Sequence, residues 1–290
     1  MRLIKIIFIA FWLLPNAVIL LNAKSIHNSS LFDPKKIKVV IDAGHGGKDP
    51  GAVVNGVREK DVVLKLAKYL EEELKNAEYR DKIEPILTRD KDVYLSLNAR
   101  RKIVKKHNAD VFISLHTNIS PTNSAASGTE IFFVTEDAAD NVGIELLVNR
   151  ENFVYPEDEN EELANDEDET LDFLFKDLNK RAIINRSIQL ALSIEKAMAN
   201  LPEGRVKYIR RAPFMVLKTL LAPAILIEIG YLSNANDRKL MQDDEYLKNY
   251  AINLAKGIEL FYTNTLQKIE YSYNEKNENN NVSQKINVKR

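Results

Sequence analysis

The 290-residue chain contains no cysteine. That absence removes disulfides, thiolate metal ligands, a cysteine nucleophile and a lipid-modified N-terminal cysteine. A metal ion held by this chain must therefore sit on histidine and carboxylate. No His-Glu-x-x-His helix is present, no Gly-x-Ser-x-Gly elbow and no P-loop, so three common hydrolase and nucleotide signatures are missing. Net charge is also scarce: 41 Lys and Arg against 42 Asp and Glu leave a formal charge of -1. No excess field of one sign points to nucleic acid or a membrane surface. Long apolar runs are confined to the N-terminus, and no internal repeat is found.

What remains is a globular composition, 45% hydrophobic and 29% charged, enough for one large domain or two small ones. Arg2 and Lys5 precede an apolar run over residues 6–21, broken by Pro15 and Asn16, and Leu21-Asn22-Ala23 supplies a small residue at a cleavage point. Residues 1–24 are expected to be a signal peptide that sends the protein to the periplasm or outside the cell, with no integral membrane domain after cleavage. The other reading, an uncleaved anchor, requires a longer run. Residues 25–36 form a polar linker, and the Asn/Lys-rich stretch 265–290 is expected to be a disordered polar tail.

Between them, strands alternate with helices. Residues 37–41, 83–88, 110–115, 128–134 and 224–230 are short apolar runs of strand type, and residues 206–217 should hold a further short strand and turn. Residues 59–77, 95–106, 138–149, 171–200 and 244–262 carry helical spacing. The basic cluster of the second helix (Arg100, Arg101, Lys105, Lys106) is expected to lie at the surface. The alternation predicts an α/β fold: a single domain over residues 37–264, with a mostly parallel twisted sheet and helices on both faces. An acidic inserted segment, about residues 136–178, interrupts it; residues 151–169 are dense in Asp and Glu and expected to be solvated and mobile.

The chemistry begins where the first strand ends. Gly44, Gly46 and Gly47 surround His45, with Pro50-Gly51 beyond. Ligands of open α/β sheets bind at strand carboxyl ends, and glycines let the backbone approach whatever His45 holds. Alone, His45 is most simply a loop histidine. Glu59 opening a helix and His116 ending a second buried strand change that: two histidines and a carboxylate suit a catalytic zinc site with one open position. Glu228 lies inside an otherwise apolar strand near its carboxyl end. Burying a carboxylate there is costly; it is either a structural ion pair or, on the same rim, the general base of a metal-assisted amide hydrolysis.

These residues carry a family resemblance. Val40-Ile-Asp-Ala-Gly-His-Gly-Gly-Lys-Asp-Pro-Gly-Ala52, Gly56-Val-Arg-Glu-Lys-Asp61, Ala109-Asp-Val-Phe-Ile-Ser-Leu-His116 with Asn118, and Pro223-Ala-Ile-Leu-Ile-Glu-Ile-Gly-Tyr-Leu-Ser-Asn234 resemble the zinc-dependent N-acetylmuramoyl-L-alanine amidases of bacterial cell-wall remodelling, in that family's order and over about residues 37–262. The resemblance implies Zn²⁺ on His45, Glu59 and His116, Glu228 as the catalytic glutamate, and peptidoglycan as substrate. Ile229 and Tyr231 depart from the family's usual Thr and Phe, and no wall-binding repeat is recognised.

The insert is similar to that of the regulated cell-division amidases, through Asn149-Arg-Glu-Asn152, residues 168–178 and residues 185–191. In those proteins a helix covers the site and a glutamate from it occupies the metal; by alignment that glutamate is Glu151. The resemblance thus implies autoinhibition, relieved by an activator protein that binds the acidic insert, in daughter-cell separation. The simpler reading of the insert is a surface loop. Two other functions share the residues: a secreted zinc peptidase acting on ordinary peptides, and a wall-binding module without activity, which should have lost a ligand.

Overall fold

The computed structural model describes residues 36–135, 141–158, 173–218 and 221–287. The expected signal peptide and nearly all of the linker lie outside the described residues, as do residues 159–172, most of the acidic block.

Strand β1 (Ile37–Ala43) runs two residues past the expected end, carrying Asp42 into the sheet. Two short strands, β2 (Val53–Val54) and β3 (Val57–Arg58), pair across Asn55-Gly56. Both turn residues have positive φ, 51° and 80°, as a tight Asn-Gly hairpin turn requires. Then come α1 (Glu59–Leu74), β4 (Ile83–Leu87), α2 (Leu97–His107), β5 (Val111–Asn118), β6 (Thr129–Val134) and α3 (Val142–Glu151). The chain ends with α4 (Phe173–Met198), β7 (Val206–Ala212), β8 (Ala224–Tyr231), α5 (Ala235–Leu240) and α6 (Asp244–Asn287).

The six-stranded sheet has the order β4-β1-β5-β8-β6-β7. Four strand pairs are parallel, and only β6 against β8 is antiparallel, so the sheet is mostly parallel as expected. Period-two alternation divides its side chains. Val39, Ile41, Ile113, Leu115, Ile225 and Ile227 join α1, α4 and α6 on one face; Val40, Phe112, Phe132 and Leu226 join α2 and α3 on the other. Both faces are dry, which is why the strands read as continuous apolar runs rather than alternating ones.

Two expectations are corrected. Helix α6 does not stop at Tyr262, where the helical spacing was expected to end; its backbone stays helical through Asn287, across most of the stretch expected to be a disordered tail. No Gly or Pro follows Gly257, so a helix already nucleated by its packed half propagates at little cost per residue. Arg100, expected at the surface, is buried against the sheet; its guanidinium pairs with Asp42 and donates to the carbonyls of Ala43 and His45 at 2.8 and 2.7 Å.

Candidate metal centre and active site

The same alternation aims Asp42, Ser114, His116 and Glu228 at the α2/α3 face, near the carboxyl ends of β1, β5 and β8. His116 and Glu228 are register partners on adjacent strands, and Glu228 also faces Glu130 across β6. Asp42 anchors the loop that follows: Thr88 and Ser114 hydroxyls donate to it at 2.6 and 2.7 Å, beside Arg100. Burial would raise the Asp42 pKa, but Arg100 and the two hydroxyls hold it below its ordinary value.

His45 sits at φ 56°, a left-handed conformation rare outside glycine, and the turn directs its ring back over the sheet. Its Nδ1 meets Asp49 Oδ2 at 2.8 Å. That contact fixes the tautomer that leaves Nε2 free to bind a cation. Glu59, fully buried in the first turn of α1, is held by two backbone amides: Ala52 N–H donates to Oε2 and Thr117 N–H to Oε1, both at 2.8 Å. The helix start needs no side-chain cap, because Glu59 and Lys60 N–H groups donate to the loop carbonyls of Ala52 and Pro50. Loop, helix and strand are thereby locked around one point.

Four side chains meet at that point. His45 Nε2 lies 3.2 Å from both Glu59 Oε1 and Glu151 Oε2. His116 Nδ1 lies 3.2 Å from Glu59 Oε1 and 2.8 Å from Glu151 Oε2. The four ligand atoms of His45, Glu59, His116 and Glu151 fall within 4.8 Å of one another, and all four residues are buried. Glycine is required where the walls close in. A Cβ on Gly44 would stand 2.4 Å from His116 Cε1, and one on Gly51 2.6 Å from both Glu59 Oε2 and His45 Cδ2.

The donor set fits a metal ion. His45 Nε2 and Glu151 Oε2 are buried and, although close to each other and to the neighbouring ligands, make no hydrogen bond of good geometry, a costly state unless a further partner belongs between them. Two carboxylates facing one point also need a positive charge there. The histidine pKa values show the same demand. Burial lowers both, yet the carboxylates of Glu59 and Glu151 outweigh it, raising His45 well above its usual value and His116 to about 9.

Glu151 arrives from the end of α3, whose apolar face (Ile144, Leu147, Val148) packs on the sheet. Arg150 Nε donates to Glu151 Oε1 at 2.6 Å and its Nη2 to Thr117 O at 3.0 Å. Asn152 continues the anchorage: its Nδ2 donates to Pro213 O at 3.0 Å, and its Oδ1 accepts from Met215 N–H at 2.7 Å. Glu228 is fully buried, and neither of its oxygens has a hydrogen-bond partner. Burial and the nearby Glu151 carboxylate push its pKa well up, against the opposing pull of Arg150 and His116.

The structure thus brings His45, Glu59, His116, Glu151 and Glu228 onto one rim. Asp49, Arg150 and the Asp42–Arg100 pair were not anticipated. Asp49 could have been found from its i,i+4 spacing to His45 in a glycine-rich turn. The pairing of Arg100 with Asp42 spans 58 residues and leaves no local signal.

A mostly parallel sheet with two histidines and three carboxylates gathered at its carboxyl rim from strands, a loop, α1 and α3, four of them able to hold a metal ion, has the make-up of a metal-centred α/β enzyme. Residues 39–260 match the family model described as N-acetylmuramoyl-L-alanine amidase, and the chain belongs to that family, the hydrolases of the peptidoglycan amide between N-acetylmuramic acid and L-alanine. It is 32% identical over 221 residues to N-acetylmuramoyl-L-alanine amidase AmiA of Escherichia coli strain K12, an alignment spanning 76% of this chain and 74% of that protein. The catalytic domain of the amidase CwlV from Bacillus (Paenibacillus) polymyxa var. colistinus aligns with TM-score 0.53 and 29% identity, over 77% of this chain and 96% of that one. The amidase AmiC2 of Nostoc punctiforme aligns with TM-score 0.58 and 25% identity, over 78% and 97%.

Proposed function

We propose that this amidase is a zinc enzyme, exported under a signal peptide over residues 1–24, with a catalytic domain over residues 37–264 that a regulatory insert of about residues 136–178 holds inactive. Among the described residues no helix is long and apolar enough to cross a membrane. The substrate is peptidoglycan and the role is wall remodelling and daughter-cell separation in the periplasm or outside the cell.

His45 through Nε2, Glu59, and His116 through Nδ1 would hold the ion. Zinc in such a site lowers the pKa of a water in its open position and polarises a substrate carbonyl. The residues around it divide the remaining work. Asp49 holds the His45 tautomer, and the amides of Ala52 and Thr117 orient Glu59. Glu228 accepts the proton of the attacking water and returns it to the leaving nitrogen of L-alanine. Glu151 takes the position that the water needs, so the fold stays intact while hydrolysis stops. Release needs an activator protein that binds the displaced insert more tightly than the docked one, since equal affinity would shift nothing.

The observation that carries this reading is the partnerless, buried Glu228 carboxylate beside a group of two histidines and two carboxylates. Metal analysis combined with mass spectrometry of digested peptidoglycan tests it. Zinc bound to the protein and stem peptides with a free L-alanine amine are expected, more abundantly after removal of residues 135–178. Cleavage of generic peptides with intact stem–glycan linkages would overturn it.

A further inference from the structure

Beyond Glu151 the insert continues onto the rim of the site. Phe153 and Tyr155 meet edge to face at 5.1 Å, and Tyr155 meets Tyr94 at 5.3 Å. The Lys48 ammonium lies over both tyrosine rings, 4.4 Å from the Tyr94 centroid and 4.1 Å from that of Tyr155, and pairs with Glu157. Tyr94 donates its hydroxyl to Asp158 at 2.6 Å. The insert therefore presents two carboxylates and two rings to a cation and a ring on the body.

The body's half of this contact is built without the insert. Gly47 N–H donates to Asp92 Oδ1 at 2.7 Å, and Lys60 bridges Gly47 O and Asp92 Oδ2, both at 2.8 Å. These bonds clamp the loop carrying Lys48 onto the stretch carrying Tyr94. Gly47, at φ 56°, lies so close that a Cβ would stand 2.6 Å from Tyr94 N. Lys48 and Tyr94 thus keep their places when the insert leaves, and then offer a positive charge, a phenol hydroxyl and an aromatic face three residues from His45. Among the described residues, what lies on them is an acidic, aromatic segment of the chain itself. A stem peptide bearing free carboxylates has the same chemistry, and Tyr94 lines the cavity that also holds His45, His116 and Glu151.

We infer that Lys48 and Tyr94 form a carboxylate-binding subsite for the stem peptide, which residues 153–158 occupy in its place while the insert is docked. The inference rests on the reading that the insert covers the site. It gives Glu157 and Asp158 a purpose: they block substrate binding as Glu151 blocks the chemistry.

The test uses the full chain carrying Glu151→Ala with Glu157→Gln and Asp158→Asn, which take the insert's carboxylates off Lys48 and Tyr94, and two soluble substrates, a muramyl tripeptide with free carboxylates and the same compound with them amidated. Adding Lys48→Met should raise KM for the free acid roughly threefold to tenfold, the range of a partly exposed ion pair with an aromatic neighbour. It should leave kcat and the amidated substrate's KM little changed, and Lys48→Arg should restore the free-acid KM. An equal KM change on both substrates, or none on either, would overturn the subsite and leave occlusion by the insert standing. A Glu151→Ala protein no faster than the unaltered chain would instead overturn occlusion, and with it the claim that residues 153–158 stand in for substrate.

Discussion

At the scale of single residues, the centre depends on side chains that are buried, charged and individually irreplaceable. Glu228→Gln keeps the shape of the carboxylate but cannot accept a proton. Turnover should fall on the order of a hundredfold to ten-thousandfold with bound zinc unchanged, as steady-state kinetics and metal analysis on one preparation would show. Asp49→Ala should weaken zinc affinity roughly tenfold to a hundredfold, because His45 loses the partner that sets its tautomer; competition with a chelating dye reads this. Arg100→Met leaves the buried Asp42 carboxylate without its cation and should cost about 3–5 kcal/mol in urea unfolding. The pH dependence follows from the same pair. The Asp42 pKa is depressed in the folded protein, so its contribution to stability is complete above the unfolded value, near 3.8, and is lost as pH falls through the lower folded value. Arg100→Met should flatten that acid limb. His45, His116 and Glu228 were legible because each is a polar residue just beyond, at the end of, or inside an apolar run, and Glu59 because it opens a helical segment close after His45. Arg100 was not: within α2 it belongs to a basic cluster, and only the sheet shows that it turns inward.

At the scale of elements, α3 places Glu151 among the candidate metal ligands, and the proposed opening of the site turns on this helix. Its buried face is small, with Ile144, Leu147 and Val148 against the sheet. Cutting Leu147 to Ala should remove about 2–5 kcal/mol of burial and packing. Because α3 lies outside the central sheet, that loss should fall mainly on docking. Basal hydrolysis should rise, and amide exchange in residues 141–152 should quicken, while β1, β5 and β8 stay protected. Unchanged exchange in α3 would show that the helix is held by something other than this face. Strand and helix identities were readable from periodicity because both faces of the sheet are dry and the helices are amphipathic. The antiparallel placement of β6 against β8 was missed because the alternation breaks once: no helix separates β5 from β6, so the chain reverses over residues 119–128 instead of crossing over. The full reach of α6 was missed for another reason: the helical spacing was expected to end at Tyr262, and the backbone of α6 continues to Asn287.

At the scale of the whole molecule, the proposed arrangement is a hydrolase that carries its own stopper. The sheet fixes His116 and Glu228, α1 fixes Glu59, and the loop after β1 fixes His45. Glu151 alone comes from α3, which lies outside the sheet and, in the proposed release, leaves it. The acidic insert was visible in composition, but its docking contacts through Arg150, Asn152 and Tyr155 required the fold. The measurement that bears most directly on this account is the basal rate of stem-peptide release from purified peptidoglycan by the full chain and by Glu151→Ala, with zinc content determined on both. The account predicts equal zinc in the two proteins and a rate at least about tenfold higher in Glu151→Ala, as expected where a carboxylate no longer competes for the catalytic position. Equal zinc with equal rates would contradict it.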